Sequence, residues 1–182
     1  MIYTYVDLKK RGLSNYKIKK AVENGYLIKI DKGVYSDKPE TSELEILCRT
    51  YPHVIITLDS ALYFYGLIKK EPKVIYVATK QKARKIIYKN IKQIYMSDHL
   101  LDIGVAKMNY KMIQMNIYSL ERLLIEVVRN KTNIKYETYK EAIDSYSKIS
   151  KLLNKKKLDE YLTHFKDSKI IKRISSEVYK TI

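Results

Sequence analysis

Residues 13 to 35, LSNYKIKKAVENGYLIKIDKGVY, change their hydrophobic period midway, and that change leaves few options for local structure. Ile18, Ala21 and Val22 recur at helical spacing, with Tyr16, Lys19, Lys20 and Glu23 on the opposite side. Ser14 offers an N-cap hydroxyl, and Gly25 supplies a left-handed stop just past Asn24. Beyond Gly25 the runs YLIKI and GVY are β-prone, and Asp31-Lys32-Gly33 between them suits a tight hairpin turn. Upstream, Thr4 to Lys10 reads as a short helix that ends at Gly12, with Tyr5, Leu8 and Val6 toward one side.

Charge gives this pattern a direction. The 182 residues carry 36 Lys and Arg against 20 Asp and Glu, a formal charge of +16 that favours polyanionic partners, nucleic acid first and an anionic membrane surface second. Lys, Ile, Tyr and Asn are all rich in adenine and thymine codons, so the placement of charge says more than its total. Residues 1 to 35 hold eight basic residues against three acidic ones, with Lys29 and Lys32 on or near the hairpin tip. Residues 148 to 182 hold ten against four, including Lys155-Lys156-Lys157, which reads as a solvated helix face.

The 46% hydrophobic content suffices for a packed core, in one domain or in a small module followed by a larger one. The polar connection at 37 to 42, DKPETS, is the expected boundary between a domain of residues 1–38 and another of residues 39–182. In the second, Ser42 to Tyr51 reads as a helix, VIIT as a buried strand, DSALYFYGL as a short helix closed by Gly66, and KVIYVAT as a strand covered on both faces. Weaker strands are expected at about 91–96, 103–108 and 112–118, and Ser119 caps a helix with Leu120, Leu123, Leu124, Val127 and Val128 on its buried side. Three further apolar stripes predict helices to the end: Tyr139 to Ile149; Leu158, Leu162 and Phe165; and Ile170, Ile171, Ile174 and Val178.

Catalytic chemistry is thinly represented. His53, His99 and His164 have no paired metal-ligand spacing, and no phosphate-cradling glycine motif or nucleophile elbow occurs. Cys48 is the single cysteine, so no intrachain disulfide can form, and it reads as a small buried hydrophobe. Asp98 with Asp102, or Glu71 with Lys73, would be the acids of a metal-dependent nuclease, but the first pair brackets a turn and the second lies in a solvated loop. The expectation is no enzyme, no metal and no cofactor. No apolar run approaches the roughly 18 residues of a membrane span, and MIYTYVDLKK has no apolar leader core, so a cytoplasmic protein without membrane partners is expected.

In order, YVDLKKRG, SNYKIKKAVENG and YLIKIDKGVY are the parts of a winged helix-turn-helix. The fold class expected is therefore α+β: that module followed by a mixed α/β domain with a helical C-terminal part. Leu8 to Tyr35, with ITLDSALYFYGL, KVIYVAT and IYSLERLLIEVVRN after it, resembles the AbiEi family, the antitoxins of bacterial type IV toxin-antitoxin systems of abortive phage infection. The resemblance covers about residues 10–130. It implies a DNA-binding autorepressor of its own operon that opposes a nucleotidyltransferase-like toxin without a stable complex. The DNA-facing residues it implies are Asn15, Tyr16, Lys17, Lys19 and Lys20 on the recognition helix and Lys29 and Lys32 on the wing, none catalytic. The chain departs from the pattern at its start, where only Met1-Ile2-Tyr3 stand in place of a first helix; that helix is missing, replaced by a later element, or lost with an upstream start. The alternatives are an RNA- or protein-binding module and a small metal-dependent nuclease.

Overall fold

A computed structural model describes residues 1–88, 90–165 and 168–181, apart from the side chains of residues 168–171 and 173–175. The fold is mixed α+β, with a three-stranded and a five-stranded sheet in two compact units.

The first unit comprises Met1–His53 and Lys111–Ile113. Its elements run β1 (Ile2–Thr4), α1 (Tyr5–Lys10), α2 (Asn15–Glu23), β2 (Ile28–Asp31), β3 (Val34–Ser36) and α3 (Glu43–Thr50). The sheet order is β1-β3-β2, antiparallel throughout, with Tyr3 opposite Tyr35 and Lys29 opposite Tyr35 on the other side. A strand, β1, thus occupies the place where the winged-helix pattern has a preceding helix. Thr4 ends that strand and starts α1 through a capping box: the Asp7 amide donates to its hydroxyl at 3.2 Å, and its own amide donates to the Asp7 carboxylate at 2.9 Å.

Leu8, Ile18 and Leu27 form the buried centre of the helical pair, with Tyr3, Leu13, Ala21, Val22 and Tyr35 packed around them. Burial of each large aliphatic contributes about 1.5–3 kcal/mol, so this small cluster is what holds α1 and α2 on the sheet. Tyr5 and Val6, expected beside Leu8, are instead exposed, because a six-residue helix turns only one narrow stripe inward. The unit also runs past the expected 38/39 boundary. Beyond the polar connection, α3 packs on β1 with Leu44 and Leu47 buried, and Glu45 accepts the Ile2 amide at 3.3 Å.

The second unit comprises Val54–Tyr110 and Gln114–Ile182. Its sheet has the order β6-β5-β4-β8-β7, from β4 (Ile55–Ile56), β5 (Ile75–Lys80), β6 (Ile91–Met96), β7 (Val105–Tyr110) and β8 (Ile113–Tyr118). β4 runs antiparallel to β5 and parallel to β8, and β5 runs parallel to β6. The helices are α4 (Leu58–Phe64), α5 (Asp98–Leu101), α6 (Leu120–Arg129), α7 (Tyr136–Lys148), α8 (Lys155–Thr163) and α9 (Ser168–Thr181).

α6 is the hub, packed against α4, α8 and α9. Every residue from Arg122 to Val128 is buried, so the expected one-sided apolar stripe is covered on its polar side too. Arg122 is wholly buried and lies 2.7 Å from the Glu126 carboxylate, which Arg129 also reaches at 3.1 Å. The Arg122 guanidinium is stacked between the Tyr118 and Phe165 rings, 4.9 Å from each centroid, and donates to the Leu100 carbonyl at 3.3 Å. Gly104 makes room for this arrangement: a methyl group there would stand 2.5 Å from the Arg122 Cβ, and its φ is +70°. Around α6, Ala142, Tyr146, Leu158, Leu162, Phe165 and Val178 are buried as expected, whereas Tyr139, Ile143 and Ile149 are only half-buried. The side chains of Ile170, Ile171 and Ile174 lie outside the described residues.

Candidate nucleic-acid interface

Ser14 accepts the Lys17 amide at 3.2 Å and thereby opens α2 at Asn15, so Asn15, Tyr16 and Lys17 form its first turn. Buried Ile18 anchors the helix, which leaves Asn15, Tyr16, Lys17, Lys19 and Lys20 in solvent. Tyr16 is 70% exposed, far more than packing alone would leave an aromatic ring.

On the hairpin, Lys29 and Lys32 are likewise exposed. The register of β2 shifts between Lys29 and Asp31, and the turn closes through Lys32 and Gly33, whose φ of +75° suits glycine. The Asp31 carboxylate accepts the Lys32 amide at 2.6 Å and fixes the tip.

Tyr5 links the two parts of this surface. Its amide donates to the Gly33 carbonyl at 2.7 Å, and its hydroxyl donates to Asn15 Oδ1 at 2.6 Å. One residue therefore ties the hairpin tip to the first turn of α2. The bond also orients the Asn15 amide: Oδ1 keeps a second lone pair, and the NH2 group stays available as a donor. Sequence reasoning missed Tyr5 by placing it inward; its only signal was its position at the start of so short a helix. Tyr26, 75% exposed just past α2, was missed as well.

The cations differ in their surroundings. Glu23 pairs with Lys20 at 3.3 Å and with Lys19 at 3.8 Å, whereas Lys17, Lys29 and Lys32 have no carboxylate partner among the described residues. Exposed pairs of this kind are worth about 0.2–1 kcal/mol, so Glu23 holds Lys19 and Lys20 only loosely against a competing phosphate. At the end of α1, the Arg11 guanidinium stacks on the Tyr3 ring at 4.6 Å from its centroid.

The groups considered for catalysis are scattered. Asp98 and Asp102 are exposed and bracket the one-turn helix α5 rather than a simple turn. Glu71 and Lys73 are exposed ahead of β5, and His53, His99 and His164 are exposed on separate segments. Among the described residues no group of three or more His, Cys, Asp or Glu is placed to hold a metal ion, and no helix is long and apolar enough to cross a membrane. Cys48 is half-buried, and burial pushes its thiol up to about 11, far from a thiolate nucleophile at neutral pH.

No family model matches the chain, and no curated protein matches it. Among solved structures, the chain is similar to the RV2827C protein from Mycobacterium tuberculosis, at 13% identity and a TM-score of 0.66, over 100% of this chain and 72% of that one. At that identity the likeness shows the fold alone.

Proposed function

We propose that this chain is a non-catalytic, DNA-binding autorepressor and antitoxin of the AbiEi type, in which β1 to β3 form a winged helix-turn-helix. On this reading α2 enters the major groove, the β2–β3 hairpin is the wing, and the duplex carries the promoter of the chain's own operon. The functional partner is a nucleotidyltransferase-like toxin, opposed without a stable complex, in the cytoplasm. The observation that supports this most is the double tie of Tyr5, which holds the hairpin tip and the start of α2 as one cationic surface.

Within that surface the residues have separable tasks. Lys17, Lys29 and Lys32 contact phosphates and set affinity without reading sequence. Asn15, its amide oriented by Tyr5, and Lys19 face base edges: asparagine suits adenine, and lysine suits guanine. Tyr16 reaches a phosphate through its hydroxyl. Lys20 supports the backbone contacts from the far end of the helix.

The test is a titration of the purified chain against the duplex upstream of its own gene, beside a scrambled duplex of equal length. Preference by tenfold or more, about 1.4 kcal/mol, is the expected result. Asn15→Ala should reduce that preference more than it reduces affinity for the scrambled duplex. Equal binding to both duplexes, or undiminished preference in Asn15→Ala, overturns the reading.

A further inference from the structure

Between Pro72 and Ser97 the sequence holds seven Lys or Arg and no Asp or Glu, the longest stretch without a carboxylate in the chain. It spans β5, the connection from residue 81 to residue 90, and β6, all in the second unit. Lys82, Arg84 and Lys85 are exposed on the connection, and among the described residues they have no carboxylate partner.

The described part of the connection is anchored. The side-chain amide of Gln93, on β6, binds it at two points: Oε1 accepts the Ile86 amide at 2.9 Å, and Nε2 donates to the Arg84 carbonyl at 3.2 Å. The same Nε2 donates to the Thr79 hydroxyl at 2.8 Å, which locks the amide to β5. Ile86 is buried beneath. Tyr95 is two residues beyond Gln93 on the same strand, hence on the same face of the sheet, and is 46% exposed. Exposed cations on a backbone anchored to Gln93, on the sheet face that also carries an exposed aromatic ring, are the two parts of a site for unpaired nucleotides, where the cations track phosphates and the ring stacks on a base.

We propose that the β5–β6 connection is a second nucleic-acid site, which binds single-stranded polynucleotide through Lys82, Arg84 and Lys85 along the backbone and Tyr95 against a base. It is separate from the duplex-binding reading of the first unit and does not rest on it. Lysines on an edge strand also deter edge-to-edge pairing, and β6 is an edge; Lys92 on that strand suits that role, whereas Lys82, Arg84 and Lys85 lie on the connection before it. Ile87, 89% exposed, is a single aliphatic side chain, too little apolar area to hold a membrane surface alone.

The test uses the full chain and a labelled oligouridylate of about 12 nucleotides, followed by fluorescence polarisation at about 50 and 200 mM salt. Binding that weakens with salt is expected. Replacing Lys82, Arg84 and Lys85 together by Ala should weaken it at least tenfold and lower the slope of log K against log salt by about 2, since each single-strand phosphate contributes about 0.7. Tyr95→Leu should weaken binding about fivefold or more with the slope unchanged, because stacking releases no counterions. Lys29→Ala with Lys32→Ala should weaken oligouridylate binding less than the triple variant does, which separates this site from the wing. Wild-type affinity in the triple variant, with an unchanged melting temperature, overturns the proposal. Capture by phosphatidylserine vesicles without oligouridylate binding also overturns it and assigns the loop to a lipid surface.

Discussion

The α2 and hairpin surface of the first unit and the α6 hub of the second treat positive charge in opposite ways. On α2 and the β2–β3 hairpin the lysines are hydrated, and they are paired weakly or not at all. Inside the second unit, Arg122 is fully buried between two aromatic rings with its carboxylate one helical turn away. An exposed cation costs the fold almost nothing and stays free for a polyanion. A buried one costs several kcal/mol of desolvation unless its partner is in place, so it belongs to the architecture. Burial, more than net charge, separates cations that can bind from cations that hold.

The sharpest way to break that contrast is Glu126→Ala, which leaves Arg122 buried and unpaired. It should cost about 3–5 kcal/mol, read as a lowered urea midpoint. Replacing both partners with apolar residues, Arg122→Met with Glu126→Leu, should restore most of the loss and show that the penalty lies in the orphaned charge. The hydrated side is tested by Lys29→Ala and Lys32→Ala. Stability should move by less than about 0.5 kcal/mol, while the salt slope of duplex binding falls by about 1 for each phosphate contact removed.

The smallest effect expected is at Asp7. Hydrogen bonds from the Thr4 backbone and hydroxyl hold its carboxyl below the usual carboxylate range. A depressed folded-state value means the bonds stabilise the fold above the unfolded carboxylate value, about 3.9, and that the gain is lost as pH falls through the folded value. Asp7→Asn should flatten this acid limb of the stability profile and cost about 1 kcal/mol near neutrality, measured by thermal melts from pH 7 downward.

Local devices made the first unit readable. The cap at Ser14, the stop at Gly25 and the turn at Gly33 each act within a few residues, so α2 and the hairpin fall where the sequence places them. β1 was hidden because three residues, Ile2–Thr4, become a strand only by pairing with β3 some thirty positions on. Tyr5 was misplaced for the same reason, since the backbone it bonds belongs to the hairpin. In the second unit the apolar stripe of α6 marked the helix but hid the fate of Arg122 and Glu126, which helical spacing alone assigns to solvent. The seven exposed candidates on α2 and the hairpin were legible as cations and polar groups on an outward face; their division into paired and unpaired lysines needed the geometry of Glu23.

The spacing of Arg122 and Glu126 bears on the order in which the second unit assembles. The two are four residues apart on one helix, so their contact needs no loop closure and can form as soon as α6 begins to coil, on the sub-microsecond scale of helix formation. The helix then meets its neighbours with its charge already neutralised, and desolvation proceeds against a pair instead of a bare guanidinium. Docking of the Tyr118 and Phe165 rings, which must come from outside the helix, becomes the later and slower event.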